Sequence, residues 1–555
     1  MKPLNLAEPM NQALALQRQG RLRDAEKIYS RVLKAAPDYF DALNLLGTVK
    51  AQLGRFGEAQ RLFAAAVKIN PRAPGGWANL GQALHALKRH SEALDCFDKA
   101  YALSPGDVGI LNNRGNALLG LGRPADAVAA FTEVLARMPH HLEAQINCGI
   151  ARAALGQPAE ALAEFDRALA IAPGHPVANY NRGVALFNLG RYAEALAAAE
   201  AALAAAPDHA AAWLNRGQTL AALNRHDDAV ASYDRAIALR NDYADAHFNE
   251  ALALLTLGDY CRGFKEYEWR WRRTGMPPQR KSGRPLWLGE YPPSRKTVLL
   301  DAEQGLGDTI QFARYVPLIA ATGARVILQV DPVLTALMAS LGGGAKIIAR
   351  GEAPPPFDVH CPLGSLPLAL QTTLENVPAT IPYLAADPAH VSKWRERIGR
   401  SERPLVAIAW SGNAAHPNDR NRSIAFARLA PLFSAPARFV SIQREVRDED
   451  TAPLAAESRV THLGGKLESF SDTAAIIALA DLVISVDSAA VHLAGAMGRP
   501  VWVLLPSVPD WRWTLRGETT PWYPAAQLFR QTSLGDWDGV TARVGAELAR
   551  FTAMA

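Results

Sequence analysis

Residues 78–105 read ANLGQALHALKRHSEALDCFDKAYALSP, one copy of a pattern that recurs every 34 residues through the first half of the chain. Each copy has a small residue in its first half, an alanine further on and, in most copies, an aromatic residue four positions later, as at Gly81, Ala93 and Phe97. Small residues let two helices approach, the aromatic fills the space between them, and a closing proline ends the second helix. Every copy is therefore predicted to be a pair of helices. The closing prolines are Pro37, Pro71, Pro105, Pro139, Pro173 and Pro207.

An asparagine stands two residues before the small position of six copies. Asparagine is a mediocre helix former, so helix propensity does not explain why it recurs at a fixed spacing. A side-chain amide can pair with both the N–H and the C=O of an extended peptide, whatever the sequence of that peptide. We predict that these residues bind a protein acceptor, and the alternative is that they bridge adjacent repeats. The register consists of Asn79, Asn113, Asn147, Asn181, Asn215 and Asn249.

The repeat resembles the tetratricopeptide repeat (TPR), with about eight units over residues 6–273. The resemblance implies an all-α superhelix with a concave groove. Similar asparagine ladders line the groove of the TPR superhelix in O-linked N-acetylglucosamine transferases, which bind protein substrates there. The TPR domain is expected to span residues 1–273.

Composition excludes several classes of protein. The 555 residues are 49% hydrophobic and 20% charged, as in globular proteins, and 59 Lys and Arg against 54 Asp and Glu give no basis for nucleic-acid binding. No apolar run is long enough for a signal peptide or a membrane span, so we expect a cytoplasmic protein without membrane insertion. The scattered Cys96, Cys148, Cys261 and Cys361 predict neither a metal site nor disulfides, and are expected to be reduced core residues.

The second half predicts an α/β fold. A proline-rich segment at 274–296, with Pro277, Pro278, Pro285, Pro292 and Pro293, is expected to be a linker. Short apolar runs then alternate with amphipathic stretches, which is typical of parallel sheets built from βα units. We predict two Rossmann-like lobes, at 297–385 and 386–555, with ligands at the carboxyl ends of the strands. The runs lie at 297–301, 324–330, 405–410, 438–442, 481–486 and 500–505.

Three loops at strand ends carry candidate site residues. AEQGLGDT at 302–309 offers Gly305, Gly307 and Asp308, but it matches neither the dinucleotide fingerprint nor a P-loop. Asp308 lies at a helix start, so a capping role is the alternative to chemistry.

The second and third loops offer groups for an anionic donor. A guanidinium beside a helix N-terminus can neutralise a diphosphate without a metal, and a solvated charged loop is the alternative. WSGNAAHPNDRNRS at 410–423 supplies Ser411, Gly412, Asn413 and Arg422, and DLVISVDSAAVHLAGAMGRP at 481–500 supplies Asp487, Ser488 and His492.

The third segment resembles the signature of GT-B glycosyltransferases of the heptosyltransferase type, in which strand, Asp, hydroxyl residue and His-Leu-Ala grip the nucleotide diphosphate and sugar. The GLGD loop matches the first-lobe motif of that family, whose Asp is assigned as the base. The resemblance implies that Asp308 is the catalytic base, with His492 as the next candidate. Ala489 replaces the usual glycine, which leaves the donor type open.

The tail at 506–540 is similar to the ending of bacterial proteins that fuse TPR arrays to this transferase domain. The resemblance implies a metal-independent protein O-glycosyltransferase that uses a nucleotide sugar as substrate, without a cofactor, and flagellin is one kind of acceptor. One alternative is a non-catalytic TPR scaffold with a degenerate transferase domain, and another is a transferase for a glycan or lipid. DxD triplets at 448–450 and 536–538 are expected to be structural rather than metal-binding.

Overall fold

The computed structural model describes residues 6–275, 283–416 and 418–554. It has two compact units, Met1–Thr219 and Leu220–Ala555. An all-helical TPR array is followed by an α/β region with parallel sheets, which confirms the predicted fold class and is consistent with GT-B. Residues 276–282 of the predicted linker, and Pro417 in the second loop, lie outside the described residues.

Sixteen α-helices follow one another within residues 6–275, as eight repeats require. In the first unit they pack in consecutive pairs, from α1 with α2 to α11 with α12. The helices are α1 (Ala7–Arg18), α2 (Leu22–Ala35), α3 (Phe40–Gln52), α4 (Phe56–Ile69), α5 (Pro74–Ala86), α6 (His90–Leu103), α7 (Val108–Gly120), α8 (Pro124–Arg137), α9 (Leu142–Ala154), α10 (Pro158–Ile171), α11 (Pro176–Asn188), α12 (Tyr192–Ala205), α13 (Ala210–Ala222), α14 (His226–Leu239), α15 (Ala244–Leu257) and α16 (Tyr260–Tyr267).

The repeated glycine and aromatic pack against each other within a helix pair. A Cβ atom built on Gly81 would lie 2.6 Å from Cε1 of Phe97, closer than carbon atoms approach. Gly47 with Phe63 and Gly115 with Phe131 have the same relation. The small residue therefore makes room for the ring, as the sequence predicted.

The α/β region contains two parallel sheets. The first has the strand order β3-β2-β1-β4, and we call this sheet and its helices the first lobe. The second has the order β10-β9-β8-β5-β6-β7, and it forms the second lobe. The strands are β1 (Thr297–Asp301), β2 (Arg325–Val330), β3 (Lys346–Ala349), β4 (Val359–Pro362), β5 (Leu405–Ala409), β6 (Arg438–Ser441), β7 (Val460–His462), β8 (Leu482–Val486), β9 (Val501–Leu505) and β10 (Ala526–Arg530).

Helices cover the sheets and connect the parallel strands. Burial of both sheet faces explains why the strands β5 and β9 are apolar throughout and why β8 is apolar except for the buried Ser485. The helices are α17 (Leu306–Phe312), α18 (Val316–Ala321), α19 (Thr335–Met338), α20 (Leu366–Ala369), α21 (Pro388–Ile398), α22 (Asp419–Arg422), α23 (Asp448–Ala456), α24 (Phe470–Leu479), α25 (Ala489–Ala496) and α26 (Trp537–Met554).

Part of the predicted linker packs on the first lobe instead of running free. Leu286 forms a parallel bridge with His360 of β4, and the Trp287 N–H donates to the His360 carbonyl at 2.9 Å. The Trp287 side chain is fully buried. Burial of one large aromatic side chain outweighs the local proline signal, so this stretch belongs to the lobe.

The last helix of the array packs on the α/β region within the second unit. Trp522 Nε1 donates to the Tyr260 hydroxyl of α16 at 2.9 Å. Arg270, in a short 3-10 helix after α16, is buried and donates to Ser365 Oγ at 2.7 Å. The expectation that all four cysteines are core residues is wrong for Cys261, because it lies on the outer face of α16 and is exposed. No helix in the described part of the chain has the length and apolarity to cross a membrane.

Candidate functional site

Loops from the two sheets meet at one place in the second unit. The strand β1 ends at Asp301 and leads into α17, while β8 ends at Val486 and leads into α25. Helices α17 and α25 pack against each other. The carboxyl ends of strands from both lobes therefore deliver their loops to a common site.

Asp308 lies in the first turn of α17 and has both carboxylate oxygens engaged. Oδ2 accepts the backbone N–H of Gly305 at 3.1 Å, the capping interaction that the sequence left open. Oδ1 accepts from Arg512 Nη2 of the second lobe at 2.5 Å. The side chain is 27% exposed, so Asp308 combines a cap with an inter-lobe ion pair and still reaches solvent.

His492 lies on α25 and is buried against the first lobe. A Cβ atom on Gly307 would be 2.9 Å from His492 Cδ2, so the glycine lets the α17 turn approach the imidazole. Nδ1 lies 2.9 Å from the Tyr523 hydroxyl oxygen, and the ring stacks on Trp513. Burial, with the nearby guanidinium of Arg512 next in importance, lowers the pKa of His492 well below its usual range. The imidazole is therefore neutral.

Asp487 follows β8 directly and faces several charges. Its Oδ1 lies 3.9 Å from His492 Nε2. Burial raises the pKa of Asp487 to about 6, and the carboxylate of Asp510 adds to the rise while Arg512 and Arg422 oppose it. Asp487 is thus an acid that titrates closer to neutrality than an ordinary aspartate.

Arg422 ends the short helix α22 and points toward the same strand end. Its Nη1 donates to the Asp487 carbonyl at 3.2 Å, and Nε lies 3.8 Å from Asp419 Oδ1. Nε is buried without a hydrogen-bond partner among the described residues. A Cβ atom on Gly412 would be 2.6 Å from Arg422 Nη2, so the glycine makes room for the guanidinium. A guanidinium beside the end of β8 and the start of α25 is suited to an anionic ligand.

The remaining predicted donor residues hold the loops in shape. The Ser411 N–H donates to Gln443 Oε1 at 3.1 Å. Asn413 Oδ1 accepts the Ala415 N–H at 2.9 Å, and the Ser488 hydroxyl lies 3.0 Å from that of Ser485. These contacts use the polar groups for local turns, so any ligand contact would be made in addition.

Four site residues were not predicted from the sequence: Asp510, Arg512, Trp513 and Tyr523. The first three come from the loop after β9, whose strand was predicted at 500–505. Asp510 Oδ1 accepts from Arg512 Nη1 at 2.9 Å. Because β9 pairs in parallel with β8, the loop after β9 lies at the same edge of the sheet as the loop after β8. The charged and aromatic stretch PDWRW at 509–513 was the sequence feature that could have indicated these residues.

The asparagine register lies on the first helix of each pair, but its members differ. Asn79 donates to Asn44 at 3.0 Å and Asn147 donates to Asn116 at 2.9 Å, both between neighbouring repeats. Asn181 donates to the Val177 carbonyl of its own helix at 2.8 Å. Asn249 likewise donates to the Asp245 carbonyl at 2.8 Å. Asn113 is half-buried.

Asn215 is the buried member of the register. Its Oδ1 lies 3.0 Å from the position that a Cβ on Gly183 would take. The residue at the aromatic position of that repeat is Ala199, so no ring fills the space beside Gly183. Asn215 occupies this space and is 4% exposed, which leaves its amide poorly placed for a peptide.

One group of side chains in the described residues has the spacing of metal ligands. The ligand atoms of His247, Glu250 and Glu266 lie within 4.8 Å of one another. His247 Nδ1 is 2.6 Å from Glu266 Oε2, and Arg262 contacts Glu250. Burial raises the pKa of Glu250 to about 8, which Arg262 opposes. These partners already occupy the ligand atoms, so the group is a hydrogen-bonded network.

The two DxD triplets have structural contacts. Asp450 is buried and accepts from Trp410 Nε1 at 2.8 Å and from the Phe426 N–H at 2.7 Å. Asp536 accepts the Gly539 N–H at 2.9 Å at the start of α26. Both carboxylates therefore fix helices.

An array of helix pairs joined to two parallel α/β lobes defines the class of protein, and comparisons with known families agree. Family models for the tetratricopeptide repeat match residues 5–72, 46–108, 112–176, 180–244 and 224–266. The model for glycosyltransferase family 9 (heptosyltransferase) matches residues 426–532. The chain is thus a TPR array fused to a glycosyltransferase family 9 domain. The match contains Asp487, Ser488 and His492, while Asp308 and the 410–423 loop precede it.

Among known proteins, the chain is 28% identical over 334 residues to protein FlbA of Caulobacter vibrioides. The alignment covers 54% of each protein, so the chain spans about half the length of this curated relative. A TPR protein from Parabacteroides merdae is 18% identical, with a TM-score of 0.39 over 45% of this chain and 98% of that one. YrrB, a TPR protein with an unusual peptide-binding site, is 21% identical, with a TM-score of 0.29 over 33% of this chain and 95% of that one.

Proposed function

We propose that this chain transfers a sugar from a nucleotide-activated donor to a Ser or Thr hydroxyl of a protein acceptor, with the TPR array recruiting the acceptor. The observation that carries the proposal is the meeting of Asp308 from the first lobe with Arg422, Asp487 and His492 from the second. Convergence of loops from two parallel α/β lobes suits a GT-B transferase, and residues 426–532 match a glycosyltransferase family.

In the proposed reaction the acceptor oxygen attacks the anomeric carbon of the donor. The new bond forms as the bond from that carbon to the diphosphate oxygen breaks, and the nucleoside diphosphate leaves. Asp308 takes the proton of the hydroxyl, a contribution of roughly 10² to 10⁴ in rate. Arg422 and the N-terminus of α25 stabilise the charge of the leaving diphosphate without a metal.

The TPR array is the proposed acceptor site, and flagellin is a candidate acceptor by the resemblance to soluble flagellin glycosyltransferases. Asn79, Asn113, Asn147, Asn181 and Asn249 keep part of their side chains accessible. Even where the amide N–H donates internally, the amide oxygen can accept a peptide N–H. We also propose a cytoplasmic location, because all four cysteines are free thiols, as in reducing compartments.

Thermal unfolding of the purified chain tests the donor site. Nucleotide sugars with uridine, guanosine, adenosine, cytidine and thymidine are added one at a time in the presence of EDTA. A donor at 100 times its dissociation constant is expected to add about 2.7 kcal/mol to the free energy of unfolding. Stabilisation that disappears with EDTA and returns with Mn²⁺ would refute the metal-free site. Absence of stabilisation by every nucleotide sugar would refute the transferase proposal.

A further inference from the structure

Asp308, the proposed base, is ion-paired in the arrangement described above. Gly305 occupies one carboxylate oxygen and Arg512 the other. Each carboxylate oxygen keeps a second lone pair, so Asp308 can still reach a hydroxyl. The ion pair with Arg512 nevertheless opposes formation of the neutral acid when the base takes a proton, and moving Arg512 to another anion removes this opposition.

Arg512 is held by acceptors from both lobes. Its Nη1 donates to Asp510 of its own loop at 2.9 Å, and its Nε donates to Gln311 Oε1 of α17. Burial alone would lower the pKa of Arg512, but the carboxylates of Asp510 and Asp308 raise it above its usual range. The guanidinium remains a cation whose inter-lobe partner, Asp308, is 27% exposed.

Arg512 also lies where the donor diphosphate is proposed to bind. Its partner Asp308 follows Gly307, whose Cβ position lies 3.6 Å from Cα of Ala489, the first residue of α25. Arg422 Nη1 donates to the carbonyl of Asp487, two residues before α25. Both guanidinium groups are thus near the N-terminal end of α25, and Nε of Arg422 has no hydrogen-bond partner within the part of the chain that the structure describes. A diphosphate is a bidentate anion of the kind that paired guanidinium groups and a helix start bind.

We propose that Arg512 is a ligand of the donor diphosphate, and that the diphosphate replaces Asp308 as its partner when the donor binds. This inference rests on the proposed function and adds a coupling to it. Exchange of partners removes the ion pair from Asp308, so that proton uptake by the base is favoured once the donor is in place. Arg512 itself forms and breaks only ion pairs in this step.

The exchange makes a prediction about affinity that does not involve turnover. Asp308→Asn keeps an oxygen for the Gly305 N–H but removes the charge that competes for Arg512. Nucleoside diphosphate should bind on the order of tenfold more tightly to this variant, since a charge-assisted hydrogen bond no longer has to be broken. Arg512→Gln should weaken binding on the order of tenfold or more, and Arg512→Lys by less.

Calorimetric titration of the full chain with UDP, GDP, ADP, CDP, dTDP and inorganic pyrophosphate, in EDTA, measures these effects. A double-mutant cycle combines Asp308→Asn with Arg512→Gln and isolates the coupling. The gain from Asp308→Asn should vanish when Arg512 is absent. Asp536→Asn is the matched control, because it removes a helix-capping carboxylate that contacts Gly539 instead of Arg512.

Unchanged affinity in Asp308→Asn, or an equal gain with and without Arg512, would overturn the exchange while leaving the proposed function intact. The second result would mean that Asp308 acts only by general repulsion of the anion. If no nucleoside diphosphate binds the unmodified chain, the proposed function fails and the exchange fails with it. Circular dichroism of each variant shows whether it is folded. If Arg512→Gln is not folded, Arg512→Lys is measured in its place.

Discussion

Gly307 of the first lobe lies so close to His492 of the second that a Cβ atom would come within 2.9 Å of the imidazole Cδ2. His492 cannot retreat cheaply, because it is buried between the Tyr523 hydroxyl and the Trp513 ring. The two lobes of the α/β region are thus in contact at a position where a Cβ atom would force a shift. This contact brings the Asp308 turn beside Asp487.

Gly307→Ala is therefore expected to separate the lobes locally. Overpacking at a fixed contact costs about 1–3 kcal/mol, so the variant should unfold at lower temperature and lose most donor binding. Gly342→Ala is the matched control, since a Cβ at that first-lobe position meets nothing within 4 Å. Equal unfolding temperatures and donor affinities for the two variants would contradict the contact.

Arg422 is expected to be a principal donor ligand. Arg422→Ala should weaken binding of the nucleoside diphosphate by about 10- to 100-fold, the loss typical of hydrogen bonds to a charged group. Arg428→Ala is the control, because Arg428 is a more exposed arginine of the same lobe that contacts Asp538. Comparable affinity of both variants for the same nucleotide would place the diphosphate elsewhere.

Asp487 should leave a signature in the pH dependence of stability. Its pKa of about 6 in the folded chain exceeds its ordinary value of 3.8, so the folded state keeps this proton to higher pH than the unfolded state. Stability from this group is therefore lost as pH rises from about 4 to about 6. Asp487→Asn lacks this titration, and its stability relative to the unmodified chain should rise over that window by up to about 3 kcal/mol.

Chemical denaturation at a series of pH values measures the difference. The difference in free energy of unfolding should level off above about pH 7, where Asp487 is ionised in both states. A difference in free energy of unfolding that is flat from pH 4 to 8, or that falls with pH, would show that folding does not raise the pKa of Asp487.

The asparagine register contains its own control. Replacing the half-buried Asn113 and Asn181 by Ala should weaken binding of labelled flagellin, the candidate acceptor, by about fivefold for each amide at ~1 kcal/mol. The unfolding temperature should change little. Asn215→Ala should lower the unfolding temperature, because it opens a cavity beside Gly183, and should leave flagellin binding nearly unchanged. Normal flagellin binding by the double variant would favour the bridging role seen at Asn79 and Asn147.

Much of this molecule could be predicted from local patterns. The 34-residue repeat predicts the helix pairs because Gly81 and Phe97 must fit together in every copy, and apolar runs predict β1, β2, β5, β6, β8 and β9. The strands β3, β4, β7 and β10 were missed, since they are three to five residues long without a continuous apolar run. The loops at 302–309, 410–423 and 481–500 follow from strand ends.

Long-range pairing could not be predicted in the same way. Asp308 and Arg512 are 204 positions apart, and no periodicity relates a residue of one sheet to a loop of the other. The burial of Asn215 depends on an alanine at position 199, in the preceding repeat. Trp287 became part of the first lobe because an aromatic side chain could be buried there, against the proline-rich signal around it.

We propose that this chain transfers sugar with Asp308 as the base, and a transfer assay measures that reaction itself. The purified chain, the nucleotide sugar that stabilises it and flagellin are incubated together, and intact-protein and peptide mass spectrometry detect sugar on Ser or Thr. We expect transfer by the unmodified chain and a loss of roughly 10² to 10⁴ in rate for Asp308→Asn, with nucleotide binding retained. Transfer at the normal rate by Asp308→Asn would show that Asp308 is not the base.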